Sequence, residues 1–83
     1  AIAEALGHLL SSLGQIEAHR GRFDRALAAF AEERRIRQDL GDQAGLLPVH
    51  EFLGTALLML GRPAAAEDTH RQGLELARRM KAR

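Results

Sequence analysis

No cysteine occurs in the 83 residues, so neither a disulfide framework nor a thiolate-held metal can form, a composition that fits a reducing compartment. Tryptophan and tyrosine are also absent and phenylalanine occurs three times, which leaves few flat rings on which nucleic-acid bases could stack. Charge of one sign is lacking: twelve Lys and Arg stand against eleven Asp and Glu. A balance that even gathers neither nucleic acid nor an anionic membrane. Long apolar runs are missing too. The run Ala56 to Leu60 is far short of the about 20 residues that span a bilayer, and no basic stretch followed by an apolar core opens the chain. These absences predict a soluble, cytoplasmic, single domain whose small core leans on neighbours for stability. The chain opens on Ala1 and stops at Arg83 just after a helical pattern, so it is expected to have been cut from a longer protein.

What is present favours helix. Ala, Leu, Arg, Glu and Gln abound, and residues that prefer strands are few. Leu6, Leu9, Leu10, Leu13 and Ile16 recur at three- and four-residue steps and predict a core stripe on a helix of about residues 2–20, ended by Gly21. Phe23, Ala26, Leu27, Phe30 and Ile36 trace a second stripe running to about Leu40, with Gly41 as the stop. A third helix carries Val49, Leu53, Ala56, Leu57 and Leu60; Pro48 disfavours helix at the residue before it, so its start is expected near Leu47 or Pro48, with 42–46 a loop. Pro63 suits a first turn and opens a fourth helix through Leu74, Ala77 and Met80. Short connections make successive helices antiparallel. The expected fold is all-α: four helices in two stacked antiparallel hairpins.

A slide of 40 residues superposes six identities: Leu6 on Leu46, Leu13-Gly14 on Leu53-Gly54, Gly21-Arg22 on Gly61-Arg62, and Ala26 on Ala66. The small residues fall where two helices must approach closely, and each Gly-Arg falls at a hairpin turn. With Leu10, Leu13-Gly14, Glu17, Ala26 and Phe30 in one copy and His50, Leu53-Gly54, Leu57, Ala66 and His70 in the other, the sequence resembles the tetratricopeptide repeat family. The resemblance covers nearly the whole chain as one such domain, an α-solenoid fragment with repeats at about 2–41 and 42–82. The period exceeds the family's usual value of about 34, and Asp39-Leu40-Gly41-Asp42 stands where a closing Pro is usual. In these respects the chain looks like the longer repeats of bacterial signalling ATPases, transcription regulators and adaptor proteins. Glu17, His50 and His70 put polar groups where the family usually buries aromatics, which predicts looser packing there.

The resemblance implies a non-catalytic module that binds a protein or peptide on the concave surface lined by the first helix of each hairpin. On the first helix His8, Ser12, Gln15 and His19 form one row; 40 residues on, the row becomes Pro48, Phe52, Thr55 and Met59. Phe52 and Met59 could seat an apolar side chain, or pack against neighbouring helices. Chaperone-binding members clamp a terminal carboxylate with Lys, Arg and Asn, none of which stands in these rows, so that partner class is not expected. The alternative is a spacer or self-association segment that uses its open end faces, since about three repeats are usually needed to bury a repeat core.

Catalysis, metals and cofactors are not expected. His50-Glu51 starts a zinc-protease-like pattern, but Gly54 stands where the second His belongs, and His8 and His19 lie eleven apart. Ser11 and Ser12 have no recognisable base or orienting acid, and no glycine cluster cradles a phosphate. Arg34, Arg35 and Arg37, and the later Arg78, Arg79, Lys81 and Arg83, read as solvated faces balanced by Glu32, Glu33 and Asp39 or set in a last helical turn. Nucleic-acid binding is therefore disfavoured.

Overall fold

The chain turns three times in the same way. In the computed structural model, which describes residues 1–82, Gly21, Gly41 and Gly61 all take positive φ, at 74°, 67° and 75°. Each glycine N–H donates to the carbonyl three residues back, and the following N–H donates to the carbonyl five back: Arg22 to Glu17, Asp42 to Arg37 and Arg62 to Leu57, all at 2.9 Å. This pattern satisfies the last carbonyls of a helix and needs a left-handed residue, which glycine supplies without a steric cost. A Cβ at any of the three would meet nothing within 4 Å, so backbone conformation alone selects glycine there.

Between the turns stand four helices: α1 (Ile2–His19), α2 (Phe23–Leu40), α3 (Gln43–Met59) and α4 (Pro63–Lys81). They pack in chain order, α1 on α2, α2 on α3 and α3 on α4, as two antiparallel hairpins side by side. Small residues set the spacing inside each hairpin. A Cβ on Gly14 would overlap the Phe30 ring, and 40 residues on a Cβ on Gly54 would overlap the His70 imidazole. The sealed core, Ala26, Phe30, Val49 and Leu53, lies at the joint between hairpins, with Ala18, Leu27, Ala31 and Phe52 around it. Full burial of side chains of this size stabilises by about 1.5–3 kcal/mol each.

Three expectations are corrected. The stripe on α1 does not face the core: Leu6, Leu9, Leu13 and Ile16 are exposed, Leu9 at 66%, while Gly7, Gly14 and Glu17 are the buried positions. The glycine side must face α2 because only there can the helices come close enough for Phe30 to lie over Gly14. The exposed stripe is the register in which Leu46, Val49, Leu53 and Ala56 of α3 are buried against α2. On α4, likewise, Ala66, Thr69 and Leu76 are buried and Leu74 is turned outward.

The third helix begins at Gln43, not near Pro48, and 42–46 is no loop. Asp42 accepts from the Gly45 N–H at 3.0 Å and caps the first turn, so the helix is already under way when Pro48 is reached. Proline there removes one donor to the Ala44 carbonyl, whose residue is exposed and reaches water.

The third correction concerns Arg37, which is buried, not solvated. Its Nε donates to Glu33 at 2.6 Å and its Nη1 to the Asp42 cap at 2.8 Å, tying the end of α2 to the start of α3. Both the Gly45 N–H and the guanidinium hold the Asp42 carboxyl below its ordinary value, while Glu33 raises that of Arg37. Arg35 does lie on the solvated side, paired with Glu32 and Asp39. The last turn of α4 carries Arg78, Arg79 and Lys81, and Arg83 lies outside the described residues.

Candidate functional site

Where α1 and α3 lie beside each other over α2, a pocket of about 110 Å³ opens. Its floor follows from the small residues: Ala18 on α1 and Ala56 on α3 leave room, and Phe23, Phe30 and Phe52 fill the base. Gln15, His19 and Thr55 stand at its sides. Phe52 stacks on Phe30 with centroids 5.2 Å apart and planes inclined 14°, so its ring is fixed by the core while one part stays half-exposed to the pocket. Its surface is therefore chiefly aromatic and aliphatic, with hydrogen-bonding groups at one edge. Such a site suits one apolar side chain flanked by a polar backbone.

The polar edge is held locally. His19 Nδ1 donates to the Gln15 carbonyl at 2.9 Å, leaving Nε2 for another partner, and the Gln15 amide donates to Ser11 Oγ at 3.1 Å. Thr55 donates to the Glu51 carbonyl at 3.1 Å.

Of the residues singled out in the sequence, Gln15, His19, Phe52 and Thr55 come together at this pocket. Ser12 borders a second concavity, with Gln15, Ile16, His19 and Arg20, formed by α1 alone. His8 stands at the far end of the row, close enough to Asp42 for its charge to act on that carboxyl. Met59 is exposed one turn beyond Thr55, and Pro48 is exposed on the same helix. Sequence reasoning missed Ala18 and Ala56 as the gap-makers and treated Phe23 and Phe30 as core alone. The available signal was the two alanines flanked by His19 and Thr55, since small residues at facing positions open space between helices.

The polar departures from the repeat pattern are each accommodated differently. Glu17 is buried but faces Arg22 Nη1 at 3.6 Å and Arg25 Nη1 at 3.7 Å. His70 is exposed and its Nε2 donates to the Glu51 carbonyl at 3.4 Å. His50 is buried with Nδ1 lacking a hydrogen-bond partner, and burial, followed by the charge of Arg34, lowers its affinity for a proton. Packing at His50 is thus tight, against the looser packing expected: a Cβ on the facing Gly73 would come within 2.9 Å of the His50 Cβ.

Among the described residues no group of three His, Asp or Glu side chains is placed to hold a metal ion. No helix among them is long and apolar enough to cross a membrane. Neither a curated protein nor a solved structure matches the chain. The family profile described as tetratricopeptide repeat matches residues 4–79. Domains of that kind generally bind proteins or peptides and are typically non-catalytic. With four helices in paired hairpins and glycines buried where the hairpins close, the chain belongs to the tetratricopeptide repeat family.

Proposed function

We propose that this domain holds an extended peptide or a helix of another protein along the face shared by α1 and α3, with His8, Ser12, Gln15 and His19 supplying hydrogen bonds and Phe52, Thr55 and Met59 an apolar seat. The carrying observation is the pocket of about 110 Å³ that joins Gln15 and His19 to Phe52 and Thr55 across two hairpins. That volume suits a branched aliphatic side chain or a methionine rather than an indole, so the favoured ligand presents such a residue between polar neighbours. The period of 40 and the Leu-Gly-Arg turn support placement in a cytoplasmic regulatory protein of the bacterial signalling type.

Selection of a displayed random peptide pool on the 83-residue chain tests the assignment. Enriched peptides should share an aliphatic anchor and should lose at least tenfold in affinity when Phe52 is replaced by Ser. Because Phe52 also packs on Phe30, Met59→Ser and Gln15→Ala serve as companions that alter exposed side chains. Enriched peptides whose binding ignores all three substitutions would remove the groove from consideration.

A further inference from the structure

We propose that a second copy of this chain docks the exposed stripe of its α1 on α4, head to tail, repeating the joint that α3 makes with α2. The stripe and its receiving side lie on opposite ends of one molecule. Leu6, Leu9, Leu13 and Ile16 are exposed on α1, yet the residues 40 positions on, Leu46, Val49, Leu53 and Ala56, are all buried. On the other end, a groove of about 440 Å³ runs along α3 and α4, bordered among others by Leu47, His70, Gly73, Leu74 and Ala77. Leu74 is 52% exposed there.

What points to a second copy is that facing pairs change together. Three pairs meet across the inner joint: Arg34 faces His50, Arg37 bonds Asp42 at 2.8 Å, and Phe30 stacks on Phe52. Shifted by 40 on α4 and back by 40 on α1, these become Leu74 with Leu10, Ala77 with Ile2, and His70 with Ser12. In the first two, both members turn from polar to apolar. In the third, both turn from aromatic to hydrogen-bonding. Surfaces that met only water would need no such matching, whereas two surfaces that meet each other do, because a polar group buried against an apolar one loses its hydration without compensation. The antiparallel register of the inner joint also sets Glu4 of the incoming α1 beside the last turn of α4, where Arg78 and Lys81 stand. Apolar and charged complementarity then agree on one orientation.

Each pairing leaves one α1 and one α4 free, so the contact propagates and does not close on a dimer. Light scattering and sedimentation of the 83-residue chain over a dilution series should show mass rising beyond that of two copies. Leu9→Glu blocks one end and Leu74→Glu the other, both at exposed positions, so each alone should be a helical monomer. Their mixture should form a one-to-one complex that grows no further, because one good end of each type remains. If either variant loses helicity, Ile2→Glu and Ala77→Glu give the same two blocked ends. A wild type monomeric throughout overturns the proposal. So does a mass that stops at two copies, a single-end variant that still associates, or a mixture that stays monomeric. None of these variants touches a residue lining the α1–α3 pocket, so peptide binding is read separately from assembly.

Discussion

The two hairpins share one backbone design and fill it differently. In the first, the ring lying over Gly14 is Phe30, sealed in the core and covered by Phe52 of the next hairpin. In the second, the ring over Gly54 is His70, exposed and hydrogen-bonded to the Glu51 carbonyl. The end of α2 is anchored by the Glu33–Arg37–Asp42 chain, whereas Gly73 and Ala77 occupy the corresponding places on α4. A repeat thus fixes where helices turn and how closely they approach, while the side chain at a given position answers to whichever helix lies outside it.

The sharpest way to break this contrast is at Arg37. Glu33 is only 2% exposed, and one of its oxygens already lacks a partner, so Arg37→Leu would strand a buried carboxylate and should cost about 3–5 kcal/mol. Denaturant unfolding checks the value, and Glu33→Leu added to Arg37→Leu should restore part of the loss. At the corresponding position, Ala77→Leu should change stability by less than about 1 kcal/mol, being half-exposed. Equal losses from the two changes would contradict the contrast.

Next comes the pair of glycines. Gly14→Ala presses on a ring held on all sides and should destabilise by about 1–3 kcal/mol. Gly54→Ala meets the far end of an imidazole that can swing toward solvent, and the gain in helix propensity of about 1 kcal/mol offsets much of the strain. Thermal unfolding should therefore separate the two, by about 4–8 °C per kcal/mol for a domain of this size.

Asp42→Ala removes the cap at Gly45 and one bond to Arg37, and should cost about 1 kcal/mol. Its effect should vanish in strong acid. The folded Asp42 value lies below the model value of 3.8, so its stabilisation is present above that pH and fades as pH falls through the folded value.

The smallest effect is expected from His50, whose folded value is depressed from 6.5 by burial and Arg34. Above that pH both folded and unfolded forms are neutral; below it the unfolded chain takes the proton first, so stability declines on acidification toward the folded value. His50→Gln should flatten the melting temperature between neutral and mildly acid pH. A slope unchanged by that substitution would place the acid sensitivity elsewhere.

Helix number, the turn glycines and the close approaches at Gly14 and Gly54 were legible in the sequence because each follows from a local rule: period, left-handed backbone, or absence of a Cβ. The inward face of α1 was not. Its leucine stripe and its Gly7–Gly14–Glu17 side both have helical spacing, and preference for the apolar one fails when its counterpart is on no other helix of the same molecule. Pro48 misled for a similar reason, since its local veto is outweighed by a cap five residues earlier plus an exposed acceptor. Half of the pocket was readable as a row on each first helix. The other half, the floor of Phe23 and Phe30, depends on how far α1 and α3 stand apart, which no single helix encodes.

The empty surroundings of Gly21, Gly41 and Gly61 bear on how quickly the chain finds its structure. Each reversal is closed by bonds spanning at most five residues and asks nothing of distant segments, so a hairpin can form before its neighbour exists. Helices that then meet only their sequence neighbours never require a long loop to close, the circumstance under which small domains reach the native state in microseconds to milliseconds. A ribosome releasing such a chain would be followed by structure almost residue for residue.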